Sequence, residues 1–114
     1  MKLLKFKIEP GQEVMEVLTE EFKKQNLENG AIVSVIGAVD ECCISNMPKD
    51  DAKQDILQEY KQPFELSGTG EIRGGKPHIH CTLSKEGDET IHGHLHWAKV
   101  LTWYVAVFVA PIIK

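Results

Sequence analysis

Apolar and polar residues change period several times along this chain, and the changes mark its elements. Leu3, Leu4, Phe6 and Ile8 read as a short first strand closed by Pro10-Gly11. Val14, Val17, Leu18 and Phe22 then recur at helical spacing, with Glu13, Glu16, Glu20, Lys23 and Lys24 on the opposite side. This predicts an amphipathic helix that stops at Asn29-Gly30, where glycine takes a left-handed conformation without a Cβ clash.

Ala31 to Val39 is β-branched and predicts a strand, with Gly37 marking a bulge or a close backbone approach. Ile44 to Met47 extends the sheet, whereas Pro48 to Gln58, charged and without period, predicts a solvated loop or short helical turn. Phe64 to Ile72 is a glycine-punctuated strand, and Arg73-Gly74-Gly75-Lys76 is a turn. Val100 to Val109 is apolar at odd and even positions alike, so this strand needs cover on both faces, from another subunit or from elsewhere in the chain.

Two stretches between these elements carry the chemistry. Histidine occurs 5 times, always between positions 78 and 96: His78 and His80 on Pro77 to Ser84, and His92, His94 and His96 on Thr90 to Val100. Strand side chains alternate faces, so each set projects from one face. Lys85-Glu86-Gly87-Asp88-Glu89 has the polarity and glycine of a hairpin connection. Folding about Gly87 sets His80 opposite His94, His78 opposite His96 and Thr82 opposite His92, with facing Cβ atoms about 4.5–5.5 Å apart.

Imidazoles at that spacing can share one divalent ion at about 2.0–2.1 Å, and three protein ligands leave a coordination position open. Zinc is the expected metal, although copper, iron and nickel accept the same ligands. The alternative is an exposed sheet face on which the histidines bond to Thr82, Ser84 or Glu89. Cys81 points away from the His80 face and is expected to be buried.

Composition narrows the remaining choices. The chain has 114 residues, 42% hydrophobic and 26% charged, which fits one α+β domain over residues 1–114. A net charge of -4 and the absence of any lysine–arginine block argue against a broad phosphate-binding surface. Cys42 and Cys43 are adjacent and Cys81 is distant, with no C-x-x-C pair and no secretory segment, so a reduced, cytoplasmic protein is expected. The apolar run from Val100 to Ile113 is shorter than the roughly 18 residues a membrane span needs, and Lys99 and Lys114 bracket it.

Several blocks, in order, resemble one family across nearly the whole chain. They are Pro10-Gly11-Gln12-Glu13, Gly30-Ala31-Ile32-Val33-Ser34-Val35-Ile36-Gly37-Ala38-Val39, Pro63-Phe64-Glu65-Leu66-Ser67-Gly68-Thr69-Gly70, Gly75-Lys76-Pro77-His78-Ile79-His80 and Gly93-His94-Leu95. The family is the PPC domain, the plants and prokaryotes conserved domain. The resemblance implies a mixed, mainly antiparallel sheet with one main flanking helix, assembled as a homotrimer. Stand-alone prokaryotic members are described as predicted DNA-binding proteins, and some look like metal proteins. Carried over, the ligands are His78, His80 and His94. His92 stands where the family usually has glycine, His96 is additional, and the family's usual glutamate in the last strand is absent from Val105-Ala106-Val107.

Two enzyme patterns match superficially. His92-Gly93-His94-Leu95-His96 resembles the histidine triad of nucleotide hydrolases, but the other blocks of that family are missing. His78-Ile79-His80 with Glu86 faintly resembles the cupin motif, with the glutamate too far along. The expectation is therefore a DNA-binding or regulatory PPC-domain protein with a divalent-metal site. Its alternative is a metal-dependent enzyme acting on a small molecule, with Glu65 as general base if the sheet brings it to the ion, or as an ordinary salt-bridged carboxylate if not.

Overall fold

The computed structural model describes residues 2–113. Its elements are β1 (Leu4–Ile8), α1 (Val14–Lys24), β2 (Asn29–Val39), β3 (Glu41–Asn46), β4 (Ile56–Tyr60), β5 (Phe64–Arg73), β6 (Lys76–Lys85), β7 (Glu89–Lys99) and β8 (Val105–Pro111). The strands form one 8-stranded sheet in the order β1-β8-β2-β5-β6-β7-β3-β4. Every ladder among the described residues is antiparallel. Helix α1 packs against β1, β6 and β7, strands far apart in that order, so the sheet curls around it.

Val14, Leu18 and Phe22 on α1 are fully buried, and Phe22 meets Phe6 edge-on with ring centroids 5.5 Å apart. The N-terminus of the helix is capped by Glu13, whose carboxylate accepts from Met15 N at 2.9 Å and Glu16 N at 2.8 Å. The same carboxylate accepts from Ala98 N at 2.8 Å, which ties the helix start to β7. The helix ends at Lys24, short of the expected Asn29-Gly30. Asn26 takes the left-handed conformation (φ 55) and Leu27 N donates to Phe22 O, so asparagine supplies the stop and Asn29-Gly30 opens β2.

Two bulges shape the sheet. Ile32 and Val35, three apart, both face the core, and β2 shifts register against both neighbours between them. Leu95 and Ala98 on β7 repeat this, with the shift against β3 between Cys43 and Ile44. An unbroken strand would put such pairs on opposite faces.

The segment read as a solvated loop contains an edge strand. Asp51 N donates to Pro48 O and Lys53 N to Asp51 Oδ1, a short turn as expected, but Ile56 to Tyr60 then pair with β3. Ile56 and Leu57 are exposed, so ladder bonding rather than burial holds this strand, and periodicity had nothing to register. Likewise, the last strand starts at Val105, not Val100. Val100 to Tyr104 form a loop in which Asp40 accepts from Leu101 N, Thr102 N and the Thr102 hydroxyl.

On β8, Val105, Val107 and Val109 face the core, while Ala106, Phe108 and Ala110 face the side of the sheet away from α1. No element among the described residues covers that outer face. It also carries Ile36 on β2, 54% exposed. Cys42, Cys43 and Cys81 are all buried and free.

Candidate metal centre

Strands β6 and β7 form the hairpin that the histidine spacing implied, with Lys85 opposite Glu89. Gly87 (φ 86) and Asp88 (φ 63) take the left-handed conformations that the tight connection needs. His80 pairs with His94 and Thr82 with His92, as expected. On the other side of β7, His94 pairs with Ser45 of β3. One row across the outer face therefore reads Thr69, His80, His94, Ser45. Cys81, one residue on, faces the core with Leu83 and Leu95.

The expected pairing of His78 with His96 does not form. The β6–β7 ladder ends at His80 and His94, so His78 is paired only on the other edge of β6, with Glu71 of β5. The β7 bulge accounts for this. His96 is the extra residue between Leu95 and Trp97 in the ladder to β3, just past the last β6–β7 pair.

Ring positions follow from these placements. Centroids are 5.4 Å apart for His80 and His94, 5.0 Å for His94 and His96, and 6.4 Å for His78 and His94. A zinc-bound imidazole has its centroid about 3.2 Å from the ion, so two rings at the tetrahedral angle lie about 5 Å apart. The His80–His94 and His94–His96 separations match that value, whereas the His78–His94 separation suits only rings on opposite sides of an ion. Among the described residues no three His, Cys, Asp or Glu side chains already converge to hold a metal. The donor set and spacing fit one; ring rotation must complete it.

Each ring has its own partner. Arg73 donates to His78 Nδ1 at 3.1 Å and contacts Glu71 at 3.0 Å. His92 Nδ1 lies 2.9 Å from the Thr82 hydroxyl, the sheet-face bonding weighed above. His96 Nε2 lies 2.8 Å from the Ser45 hydroxyl, which reaches Asp55 at 3.5 Å. Ser45 is the one buried polar side chain among the described residues, 3% exposed. His94 is pushed below the usual imidazole pKa, chiefly by burial and then by the neighbouring rings of His96, His80 and His78, with Asp55 opposing. A neutral imidazole has the lone pair that a metal needs.

Two open hollows flank His80 and His94. One, about 410 Å³, is lined by Ser45, Asn46, Met47 and Asp55 as well as His92. The other, about 450 Å³, is lined by Thr69, Glu71, Arg73 and His78. Glu65 is in neither. It pairs with Ser84, well along β5 from Thr69, and lines a separate cleft with Trp103, so it is not placed as a base for these imidazoles.

Ser45 and Asp55 were invisible to sequence reasoning. Ser45 gains its meaning only from β3–β7 pairing between distant segments, and Asp55 sat in a stretch read as wet surface. Basic residues do not gather either. Lys5 and Lys7 are on β1 and Lys61 follows β4, the two ends of the strand order, and Lys7 is paired with Glu9 at 3.3 Å.

An antiparallel sheet curled around one helix, with an imidazole cluster on its outer face, defines an α+β protein of a distinct class. The chain matches the Plants and Prokaryotes Conserved (PCC) domain over residues 1–113, and it belongs to that family. Its fold is shared with a plant- and prokaryote-conserved protein from Pyrococcus horikoshii (22% identity, TM-score 0.84, covering 100% of this chain and 81% of that one). A metal-containing protein from Archaeoglobus fulgidus is 30% identical (TM-score 0.79, covering 97% and 79%). A candidate DNA-binding protein from Bacteroides thetaiotaomicron is 19% identical (TM-score 0.84, covering 98% and 80%). No curated protein matches the chain. Among the described residues no helix is long and apolar enough to cross a membrane.

Proposed function

We propose that this protein is a divalent-metal-binding member of its family, a cytoplasmic homotrimer that works as a binding or regulatory module. The observation that carries the metal reading is the direct pairing of His80 with His94, ring centroids 5.4 Å apart, with His78 and His96 on either flank. His80 and His94 supply two ligands, and the family resemblance gives His78 as the third. Zinc suits such a set. The Archaeoglobus relative, described as metal-containing, supports it. The trimer reading is supported by the outer face of β2 and β8, where Ile36 is exposed beside a half-buried Phe108 that Lys5 overlies. Such a face favours association when it is large and contiguous.

DNA binding comes to this chain from the description of relatives such as the Bacteroides protein, and charge speaks against it. The net charge is -4, and Lys5 and Lys7 on β1 and Lys61 after β4 belong to opposite ends of the strand order. A second reading, a metal-dependent enzyme acting on a small molecule, is favoured by the hollows flanking His80 and His94, which leave room for a ligand beside an ion.

Elemental analysis of untagged protein, reconstituted with zinc, tests the metal reading. Near-stoichiometric metal is expected in the parent, with loss in His80→Ala and His94→Ala. No metal after reconstitution would overturn it. Retention on duplex DNA that falls steeply with salt would restore the DNA reading.

A further inference from the structure

His78 enters the proposed ligand set with its ring already bonded to a cation, Arg73. We propose that the hollow beside His78 takes a small organic monocarboxylate recognised by Arg73, and that metal loading frees Arg73 to bind it. This deepens the metal-binding reading above and rests on it.

Arg73 Nη2 lies 3.1 Å from His78 Nδ1, and a guanidinium only donates, so Nδ1 accepts and the His78 proton is on Nε2. To act as a ligand, His78 must turn a lone pair to the ion. If that lone pair is on Nδ1, Arg73 is displaced from it. If it is on Nε2, the tautomer changes, Nδ1 carries the proton, and two donors face each other. Either way Arg73 lets go of His78. The His78 ring, 6.4 Å from that of His94, also has to turn toward its neighbours to join them.

The released guanidinium stays at the site. Glu71 holds Arg73 Nε at 3.0 Å, a contact in which His78 takes no part. Thr69, Glu71 and Arg73 alternate along β5 on the outer face, and all three line the hollow of about 450 Å³ together with His78, His80 and His94. Arg73 therefore remains in that wall with its Nη groups open to a guest. A carboxylate is a planar acceptor that matches such a fork.

Charge decides which guest fits. Three neutral imidazoles leave a divalent ion its two positive charges, Arg73 adds one and Glu71 removes one, a balance that favours an anion. The Glu71 carboxylate opposes a second negative charge on the guest, which selects a monocarboxylate over phosphate. The hollow on the other side has Asp55 and no arginine or lysine in its lining, so it lacks this preference.

The test uses the full chain loaded with cobalt, whose absorption reports the surroundings of the ion, and glycolate as the probe. Glycolate should change the spectrum saturably, and neutral glycolamide and inorganic phosphate should both bind more weakly. Arg73→Gln should weaken glycolate binding about fivefold or more, the low end for a charged hydrogen bond because the Arg73 side chain is 64% exposed. The same variant should bind zinc, measured by calorimetry, as tightly as the parent or more tightly, since nothing then competes for His78. Glu71→Gln should strengthen glycolate binding, because the guest no longer shares Arg73 with a carboxylate. Equal glycolate affinity in Arg73→Gln and the parent, or weaker zinc binding in Arg73→Gln, would overturn the proposal and leave the metal reading intact. Phosphate bound more tightly than glycolate would overturn the ligand class. A parent that takes up neither zinc nor cobalt would sink both readings. If Arg73→Gln fails to fold, Glu71→Gln decides, and glycolate binding no stronger than in the parent would overturn the proposal.

Discussion

The carboxylate of Glu13 ties the start of α1 to β7, beside the backbone bonds that Gly11 and Gln12 make with Val100, and its removal makes a sharp stability prediction. In Glu13→Ala, Met15 N and Glu16 N lose their cap, which is worth about 1 kcal/mol for ordinary caps. Ala98 N on β7 also loses its acceptor in a half-buried setting, and an unsatisfied donor there costs about 1–3 kcal/mol. The two losses together amount to about 2–4 kcal/mol. For a chain of 114 residues that corresponds to a fall in Tm of about 10–20 °C. Urea unfolding followed by far-UV circular dichroism, at constant m, measures it, and calorimetry checks the Tm. Glu13→Gln keeps one oxygen and should lose roughly half as much. Glu16→Ala, exposed and one turn along, serves as the control. A change in Glu13→Ala no larger than that of Glu16→Ala would refute the account of Glu13 as a tie between helix and strand.

Gly70 lies opposite Ile79, between His78 and His80, and a Cβ there would run into the His78 carbonyl. Gly70→Ala should therefore destabilise the fold by about 2–3 kcal/mol and weaken zinc binding, and unchanged zinc affinity in the folded variant would refute it. Burial, with the neighbouring thiol second, pushes Cys42 up to about 11 and Cys81 up to about 12 from 9.0. Their stabilisation is present in full below pH 9 and is lost as pH rises toward those values, by up to about 1.4 kcal/mol per pH unit for each thiol. Urea midpoints from pH 8 to 11 should fall less steeply in Cys81→Val than in the parent; equal slopes would count against it. On the trimer reading proposed above, Ile36→Glu on the uncovered face should lower the mass measured by light scattering to that of a monomer, and an unchanged mass would remove that face from the interface.

Local pattern carried most of the architecture. The helix was legible because Val14, Leu18 and Phe22 fall on one stripe, and the histidine hairpin because the connection around Gly87 is short enough for symmetry to set its register. That register placed His80 on His94 and Thr82 on His92. It failed at His96, where a bulge formed against β3, a strand distant in sequence, redirects the chain. A bulge leaves no periodic trace when the residues around it are histidine and tryptophan. The early end of the helix turned on Asn26, which competes poorly with a downstream glycine in any propensity reading. The edge strand β4 escaped because Ile56 and Leu57 are adjacent and exposed, so neither alternation nor burial announced it. The parts of the candidate site contributed by Ser45 and Asp55 belong to the same non-local class.

The sheet order also says when this protein can finish folding. Strand β1 is made first, yet its ladder partner is β8, made last, with Leu4 against Val109 and Ile8 against Val105. As the chain emerges, Phe6 and Ile8 have no strand to join, and Phe22 of the new helix lacks both the sheet and a paired Phe6. The hairpin of β6 and β7 can close early on local contacts, but the edge carrying β1 waits for the last strand. The closing step joins the first and last of these strands. Folding should therefore be slow for the size of the chain, and its most aggregation-exposed period falls just before β8 docks.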